Sequence, residues 1–181
     1  LQKKENLMTK NIRRKILIVD DEPSVLNSLK RTLRKEHDVI LSRDGFSAIQ
    51  VLNEQEIAVI IADQRMPKMN GVTLLEKAME IQPDTARILV TGYSDIQAVI
   101  DAINKGNVYY YIHKPWEPED VRLIIRQAID RYNLIQTNRS LVAEIEDTNR
   151  RLSDENLLLI QDAEKRYSFD QIIGESPIMN D

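Results

Sequence analysis

The stretch "IIADQRMPKMNG", residues 60–71, decides how this chain folds. An apolar run breaks at Asp63 into a loop holding Arg65, Pro67 and Gly71, so a carboxylate stands where a buried strand gives way to a turn. The run belongs to "IAVIIAD" (57–63), and four others surround it at regular spacing: "KILIVD" (15–20), "DVILS" (38–42), "ARILVT" (86–91) and "VYYYIH" (108–113). Three of the five lack polar alternation along most of their length, as strands covered on both faces do. Between them lie amphipathic segments at 22–36, 45–55, 71–82 and 94–106. In the first, Val25, Leu29 and Leu33 recur every four residues; in the last, Ile96, Val99, Ile100 and Ile103 make a helical stripe. Strand and helix in alternation predict a five-stranded parallel sheet, doubly wound, with right-handed crossovers placing helices on both faces.

The whole chain is 181 residues, 42% hydrophobic, with a net charge of -4. That is one domain of ordinary size with some chain to spare. A mildly acidic balance lacks the basic footprint of direct nucleic-acid contact. With no cysteine there is neither a disulfide framework nor a thiolate metal site, and no apolar run reaches the ~18 residues of a membrane span. The cytoplasm is the expected compartment. The opening "LQKKENLMTKN" has no signal-peptide core and begins on Leu, as a processed or recombinant fragment would, and residues 1–12 are expected to be a disordered extension outside the fold.

In a parallel sheet of this kind ligands bind beyond the carboxyl ends of the strands. Those ends carry Asp20 and Asp21, Asp63, Thr91 and Lys114. Three carboxylates packed together repel and raise one another's pKa values, so the set makes sense around a hard divalent cation. Mg²⁺ fits, since it takes oxygen ligands and keeps several waters. A dinucleotide site is excluded because "DDEPSV" after the first strand has no glycine, and a P-loop because its motif occurs nowhere. A phosphohydrolase of the haloacid dehalogenase type needs a second aspartate two residues after the first, where this chain has Glu22.

The stretches "ILIVDDEPSV", "ADQRMPKMNG", "ILVTGYSD" and "YIHKPW" resemble, in order and spacing, the signatures of bacterial two-component response regulator receiver domains. The resemblance covers residues 14 to about 132 and implies the flavodoxin-like, CheY-like form of the predicted fold. It implies that Asp63 is the phosphoacceptor, taking a phosphoryl group from a phosphohistidine on a sensor histidine kinase. Asp21, Asp63 and the backbone carbonyl of Arg65 would bind Mg²⁺ directly, and Asp20 mainly through a water. Lys114 would pair with the phosphoryl group, with Lys114–Pro115 in the cis form. Thr91 would donate its hydroxyl to the phosphoryl group, and Tyr111 would turn inward as Thr91 moves. Such a protein is a switch rather than an enzyme, with only self-phosphorylation and slow self-dephosphorylation.

Each residue also has a plainer role to weigh. Asp20 or Asp21 could cap the helix that starts at Pro23. Tyr109 and Tyr110 read as packing or surface aromatics, His113 as a polar residue near the surface, and Gly92 and Gly106 as turn glycines. Arg65 and Tyr93 depart from the commonest family pattern: both are large where side chains flank the path of the hydrolysing water, which implies a long-lived phosphorylated state.

From Glu119 to Tyr167 there is no Gly or Pro, which reads as one long helix. Heptads place Val121, Ala128, Ile135, Val142, Asn149, Asn156 and Ala163 at a, and Ile124, Arg131, Asn138, Ile145, Leu152 and Leu159 at d. The seam is best from Val142 through Ile145, Asn149, Leu152 and Asn156 to Leu159, and asparagines at a favour a parallel homodimer in one register. The closing "RYSFDQIIGESPIMND" resembles the entry to the AAA+ ATPase domain of NtrC-type, sigma-54-dependent transcriptional activators, through Phe169, Ile173, Gly174 and Ser176. The expected organisation is a receiver at 13–132, a coiled-coil dimerisation linker at 133–166 and the start of a truncated ATPase domain at 167–181, with the rest of the ATPase and a DNA-binding domain outside this sequence. A stand-alone phospho-dependent interaction module is the alternative organisation.

Overall fold

The computed structural model describes the backbone of residues 13–92 and 108–172, with side chains as far as Lys165. The N-terminal extension, Tyr93, the helix expected at 94–106 and the glycine and serine of the terminal motif lie outside these described residues. The chain divides into two units, parting after Gln136.

In the first unit the elements run β1 (Lys15–Val19), α1 (Pro23–Leu33), β2 (Asp38–Ser42), α2 (Gly45–Glu54), β3 (Val59–Asp63), α3 (Gly71–Ile81), β4 (Ala86–Thr91) and β5 (Tyr110–His113); α4 (Pro118–Ile172) begins here and continues through the second unit. The strands form one parallel sheet in the order β2-β1-β3-β4-β5. Successive side chains on a strand face opposite ways, and the core divides accordingly. Ile16, Ile18, Val59, Ile61, Ile88 and Val90 pack with Leu26, Leu29 and Leu33 of α1 and with Val121, Ile125 and Ala128 of α4. Leu17, Val19, Ile60, Ala62 and Leu89 pack with Ala48 and Leu52 of α2 and with Leu74, Leu75 and Ala78 of α3. Each of these Val, Leu and Ile side chains is worth roughly 1.5–3 kcal/mol when fully buried, which is why strands without polar alternation are stable here.

Local chemistry sets where the helices start. Asp44 caps α2, its carboxylate accepting from the Phe46 and Ser47 amides at 2.9 Å, and Asn70 caps α3 by accepting from Thr73 at 2.8 Å. Neither Asp20 nor Asp21 caps α1. Its N-cap is Glu22, without a side-chain cap bond, and Pro23 at the first position leaves one fewer amide to satisfy.

Helix α4 spends its first turns on the sheet: Val121, Ile125, Ala128, Ile129 and Tyr132 are buried. Side-chain hydrogen bonds help to fasten this stretch. The Tyr132 hydroxyl donates to the Glu56 carboxylate, and the Gln136 amide donates to Asp84 at 3.0 Å. The heptad expected from Val121 onward is therefore interrupted, because Val121 and Ala128 belong to the core of the first unit rather than to an intermolecular seam. In the second unit, Val142, Ile145, Leu152 and Leu159 are exposed on the single chain. Among the described residues no helix is long and apolar enough to cross a membrane.

Candidate functional site

Parallel register brings the strand ends level. Val19 stands opposite Ala62, Asp63 opposite Val90 and Thr91 opposite His113, so Asp20, Asp63, Thr91 and Lys114 follow one another along a single edge of the sheet. The Asp63 side chain is almost closed to solvent, with the residue 5% exposed. One of its oxygens lies 2.5 Å from the Lys114 ammonium, and the other accepts from the Arg65 amide at 2.7 Å. Asp20 is also buried; its Oδ2 lies 3.3 Å from Lys114 Nζ, and its Oδ1 accepts from the Glu22 amide at 2.8 Å. One ammonium is thus shared by two buried carboxylates.

The electrostatics follow. Burial pushes the Asp20 carboxyl above its usual range and the Asp63 charge adds to this, while the Glu22 amide and the Lys114 ammonium hold it back. Burial alone would lower the Lys114 pKa, but the hydrogen bond and charge of Asp63, joined by those of Asp20, outweigh it and raise it. Lys114 therefore stays an ammonium at neutral pH.

Thr91 is buried at the end of β4, where its hydroxyl donates to the neighbouring Gly92 carbonyl at 3.2 Å and its own carbonyl accepts from the Lys114 amide at 2.8 Å. The Lys114–Pro115 bond is cis. Arg65 is exposed, and Tyr111 is 51% exposed, turned away from the core. Tyr93 lies outside the described residues.

Of the side chains expected to hold Mg²⁺, two are brought together and one is not. Asp20 and Asp63 converge, but Asp21 is exposed beside them, and among the described residues no group of three or more His, Asp or Glu side chains is gathered to hold an ion. The donors still fit Mg²⁺ in kind, since they are hard oxygens whose negative charge exceeds what one ammonium balances.

Two residues to which sequence reasoning gave no role, Gln64 and Gly71, shape the loop after Asp63. Gln64 donates its amide to Val90, accepts from the Gly71 amide at its carbonyl, and accepts from Val72 with its side chain at 3.2 Å. It closes the loop between β3 and α3. Gly71 approaches the end of β3 so nearly that a Cβ there would lie 2.4 Å from the Asp63 carbonyl oxygen. The available signal for both was their place at the two ends of a short loop after a buried strand.

A family model described as the response regulator receiver domain matches residues 16–126. The hydrogenase transcriptional regulatory protein HoxA of Bradyrhizobium diazoefficiens is 30% identical over 165 residues, which is 90% of this chain and 34% of that protein. The C4-dicarboxylate transport transcriptional regulatory protein DctD of Rhizobium meliloti is 31% identical over 127 residues, 70% of this chain and 27% of that one. The chain thus spans about a third, or less, of the length of these curated relatives. Among solved structures, a response regulator receiver domain protein from Clostridium thermocellum matches with a TM-score of 0.64 at 31% identity, covering 67% of this chain and 98% of that one. The five-stranded sheet, the acidic edge with its lysine and a family match over most of the first unit lead to one conclusion: the chain belongs to the response regulator receiver-domain family.

Proposed function

We propose that this chain is a phosphorylation switch in which Asp63 accepts a phosphoryl group from a sensor histidine kinase, and helix α4 passes the change to an output domain. The observation that carries the proposal is the Asp63 carboxylate, buried at the strand edge with one oxygen on Lys114 and the other on the Arg65 amide. An Asp63 oxygen attacks phosphorus as the bond to the donor imidazole breaks, its electron pair leaving with the imidazole. Charge spreads over the phosphoryl oxygens in a loose transition state, so positioning and charge balance do most of the work. Lys114 balances part of that charge, and Thr91, at the neighbouring strand end, donates its hydroxyl to the arriving group. Asp21, Asp63 and the Arg65 carbonyl would hold Mg²⁺, with Asp20 acting through water; when bound, the ion neutralises phosphoryl oxygens. Tyr111 turns inward as Thr91 moves. Arg65, with Tyr93, narrows the path of the hydrolysing water and prolongs the phosphorylated state. The chain is not a turnover enzyme.

Downstream, the exposed residues Val142, Ile145, Asn149, Leu152, Asn156 and Leu159 form the seam of a parallel homodimer within the linker at 133–166, after a receiver at 13–132. Relatives about three times as long that carry transcriptional regulatory names support an output domain beyond the linker, for which the sigma-54-dependent ATPase type, entered at 167–181, is the best reading. The setting is cytoplasmic, and this chain itself contacts neither membrane nor DNA. Intact mass after incubation with Mg²⁺ and acetyl phosphate tests the switch: wild type gains one phosphoryl group and Asp63→Asn gains none. Wild type without an adduct, or an adduct on Asp63→Asn, rejects the assignment.

A further inference from the structure

We propose that Tyr109 clasps strand β5 to helix α4 in the resting state, with Arg131 as its counterpart on the helix, so that the contact opposes activation. The Tyr109 amide donates to the Arg87 carbonyl at 3.0 Å, which ties the residue to β4 just before β5 begins. Two guanidiniums lie over its ring, that of Arg87 at 4.8 Å from the centroid and that of Arg131 at 3.9 Å. Arg87 is a fixed anchor: it is buried in β4 and donates to the Pro83 and Thr85 carbonyls at 3.1 and 2.9 Å. Arg131 reaches in from an exposed position on α4. Burial would raise the Tyr109 phenol's pKa, but hydrogen bonds and charge from Arg131 and Arg87 outweigh it and leave it lowered, as a ring gripped by two cations requires. Three elements therefore meet on one aromatic side chain that the sequence assigned to packing or the surface. Arg131 faces this ring rather than serving the seam position at which the heptad placed it.

The direction of the effect comes from the strand. Tyr109 stands in the bend just before β5 and Tyr111 within the strand, two residues on, and both are exposed while Ile112 is buried. The inference rests on the proposed reading that Tyr111 turns inward upon phosphorylation of Asp63. That turn moves the strand whose entry Tyr109 holds against β4 and α4. A contact shifts a two-state balance only by the difference in its strength between the states, and the clasp is a contact of the outward state.

The test is a calorimetric titration with beryllofluoride, an acyl-phosphate mimic, in the presence of Mg²⁺. Fluorescence of Trp116, the single tryptophan, provides a second readout close to Lys114. Arg131→Gln and Tyr109→Leu are each expected to tighten binding about two- to five-fold, the factor carried by an exposed cation–π contact. The double variant gains no more than either single one, because both break the same contact. Unchanged or weaker binding in Arg131→Gln makes the contact merely structural and overturns the clasp. Should Tyr109→Leu fail to fold, Arg131→Gln decides alone, since it alters an exposed helix position. A folded wild type that does not bind beryllofluoride removes the phosphoacceptor reading and the clasp with it, before any variant is compared.

Discussion

Replacing Gly71 with alanine tests how tightly Asp63, the proposed acceptor, is built into the fold. The added Cβ would sit 2.4 Å from the Asp63 carbonyl oxygen, 2.9 Å from its carbon and 2.7 Å from Leu89 Cδ1. Carbon and carbonyl oxygen normally approach no nearer than about 3.3 Å, so roughly 0.9 Å of overlap must be relieved. Leu89 can rotate away; the Asp63 carbonyl ends a central strand and cannot, so α3 has to slide outward from the sheet. Overpacking of this kind costs about 1–3 kcal/mol, and a clash with backbone belongs at the upper end. For a chain of this size that is a loss of about 4–12 °C in Tm. The function suffers more than the fold, because a misplacement approaching 1 Å near a reacting group costs up to about 100-fold in rate. Gly92→Ala is the control: its Cβ meets nothing within 4 Å, and its effect is expected within about 0.5 kcal/mol. Urea unfolding followed by circular dichroism, with acetyl-phosphate labelling followed by mass, reads both effects. If Gly71→Ala proved as stable and as quickly labelled as Gly92→Ala, the packing argument would be wrong.

Lys114→Met leaves Asp20 and Asp63 buried without their shared cation; since the lysine is 31% exposed, the expected loss in Mg²⁺-free buffer is about 1–3 kcal/mol rather than the full cost of a broken buried pair, and an unchanged urea midpoint would refute it. His37 is buried, its Nδ1 has no hydrogen-bond partner among the described residues, and burial lowers its pKa. Its depressed folded value means that the unfolded chain takes up the proton first. Stability is therefore fully present above about pH 6.5 and falls as pH drops below it toward the folded value. Comparing urea midpoints at pH 7.5 and 5.5, His37→Gln should show a flatter dependence than wild type, and equal slopes would exclude this histidine as the cause. Leu152→Glu places a charge at the centre of the proposed seam and should convert the dimer to monomer in light scattering without changing Asp63 labelling; a dimer that persists locates the interface elsewhere.

The alternation of strands and helices was legible because burial on both faces strips a strand of polar alternation. β2 and β4 coincide with their apolar runs at Asp38–Ser42 and Ala86–Thr91. Elsewhere apolarity overran the strand. Ile57 and Ala58 are buried but precede β3, the Ile57 amide being satisfied by the Gln82 side chain instead of the sheet, and composition cannot tell a core loop from a strand. Helix α1 stops at Leu33 because the chain turns through Arg34 to Glu36 to reach β2, with no Gly or Pro to mark the turn. At the site, Asp20, Asp63 and Lys114 were legible since parallel register brings the similar ends of β1, β3, β4 and β5 to one edge of the sheet. Gln64, Gln82 and Arg87 were not, because partners far along the chain define what they do. Gln82 alone joins the Leu52 and Gln55 carbonyls to the Ile57 amide. A hint existed in "ARILVT": a charged residue inside a strand covered on both faces has to find carbonyls or aromatic rings, and Arg87 finds both.

Charge balance at the strand ends explains how so small an event can reach the helix. Asp20 and Asp63 bring two negative charges into places nearly closed to water, and Lys114 brings one positive charge, so the resting cluster is already short of cation. On the proposed reading, conversion of the Asp63 carboxylate to an acyl phosphate raises its charge toward about -2 and carries that charge outward on a longer arm. The ammonium loses its 2.5 Å partner and has to follow. Among the described residues the Thr91 hydroxyl is held only by the adjacent Gly92 carbonyl at 3.2 Å, a bond worth about 1 kcal/mol that a stronger acceptor can replace. Its carbonyl, however, accepts from the Lys114 amide at 2.8 Å, which couples the end of β4 to the end of β5. β5 is in turn the strand preceded by Tyr109, whose ring meets Arg131 of α4. On that reading the response would run along a sheet edge and one strand, above Ile88, Val90 and Ile112, which are buried in the core.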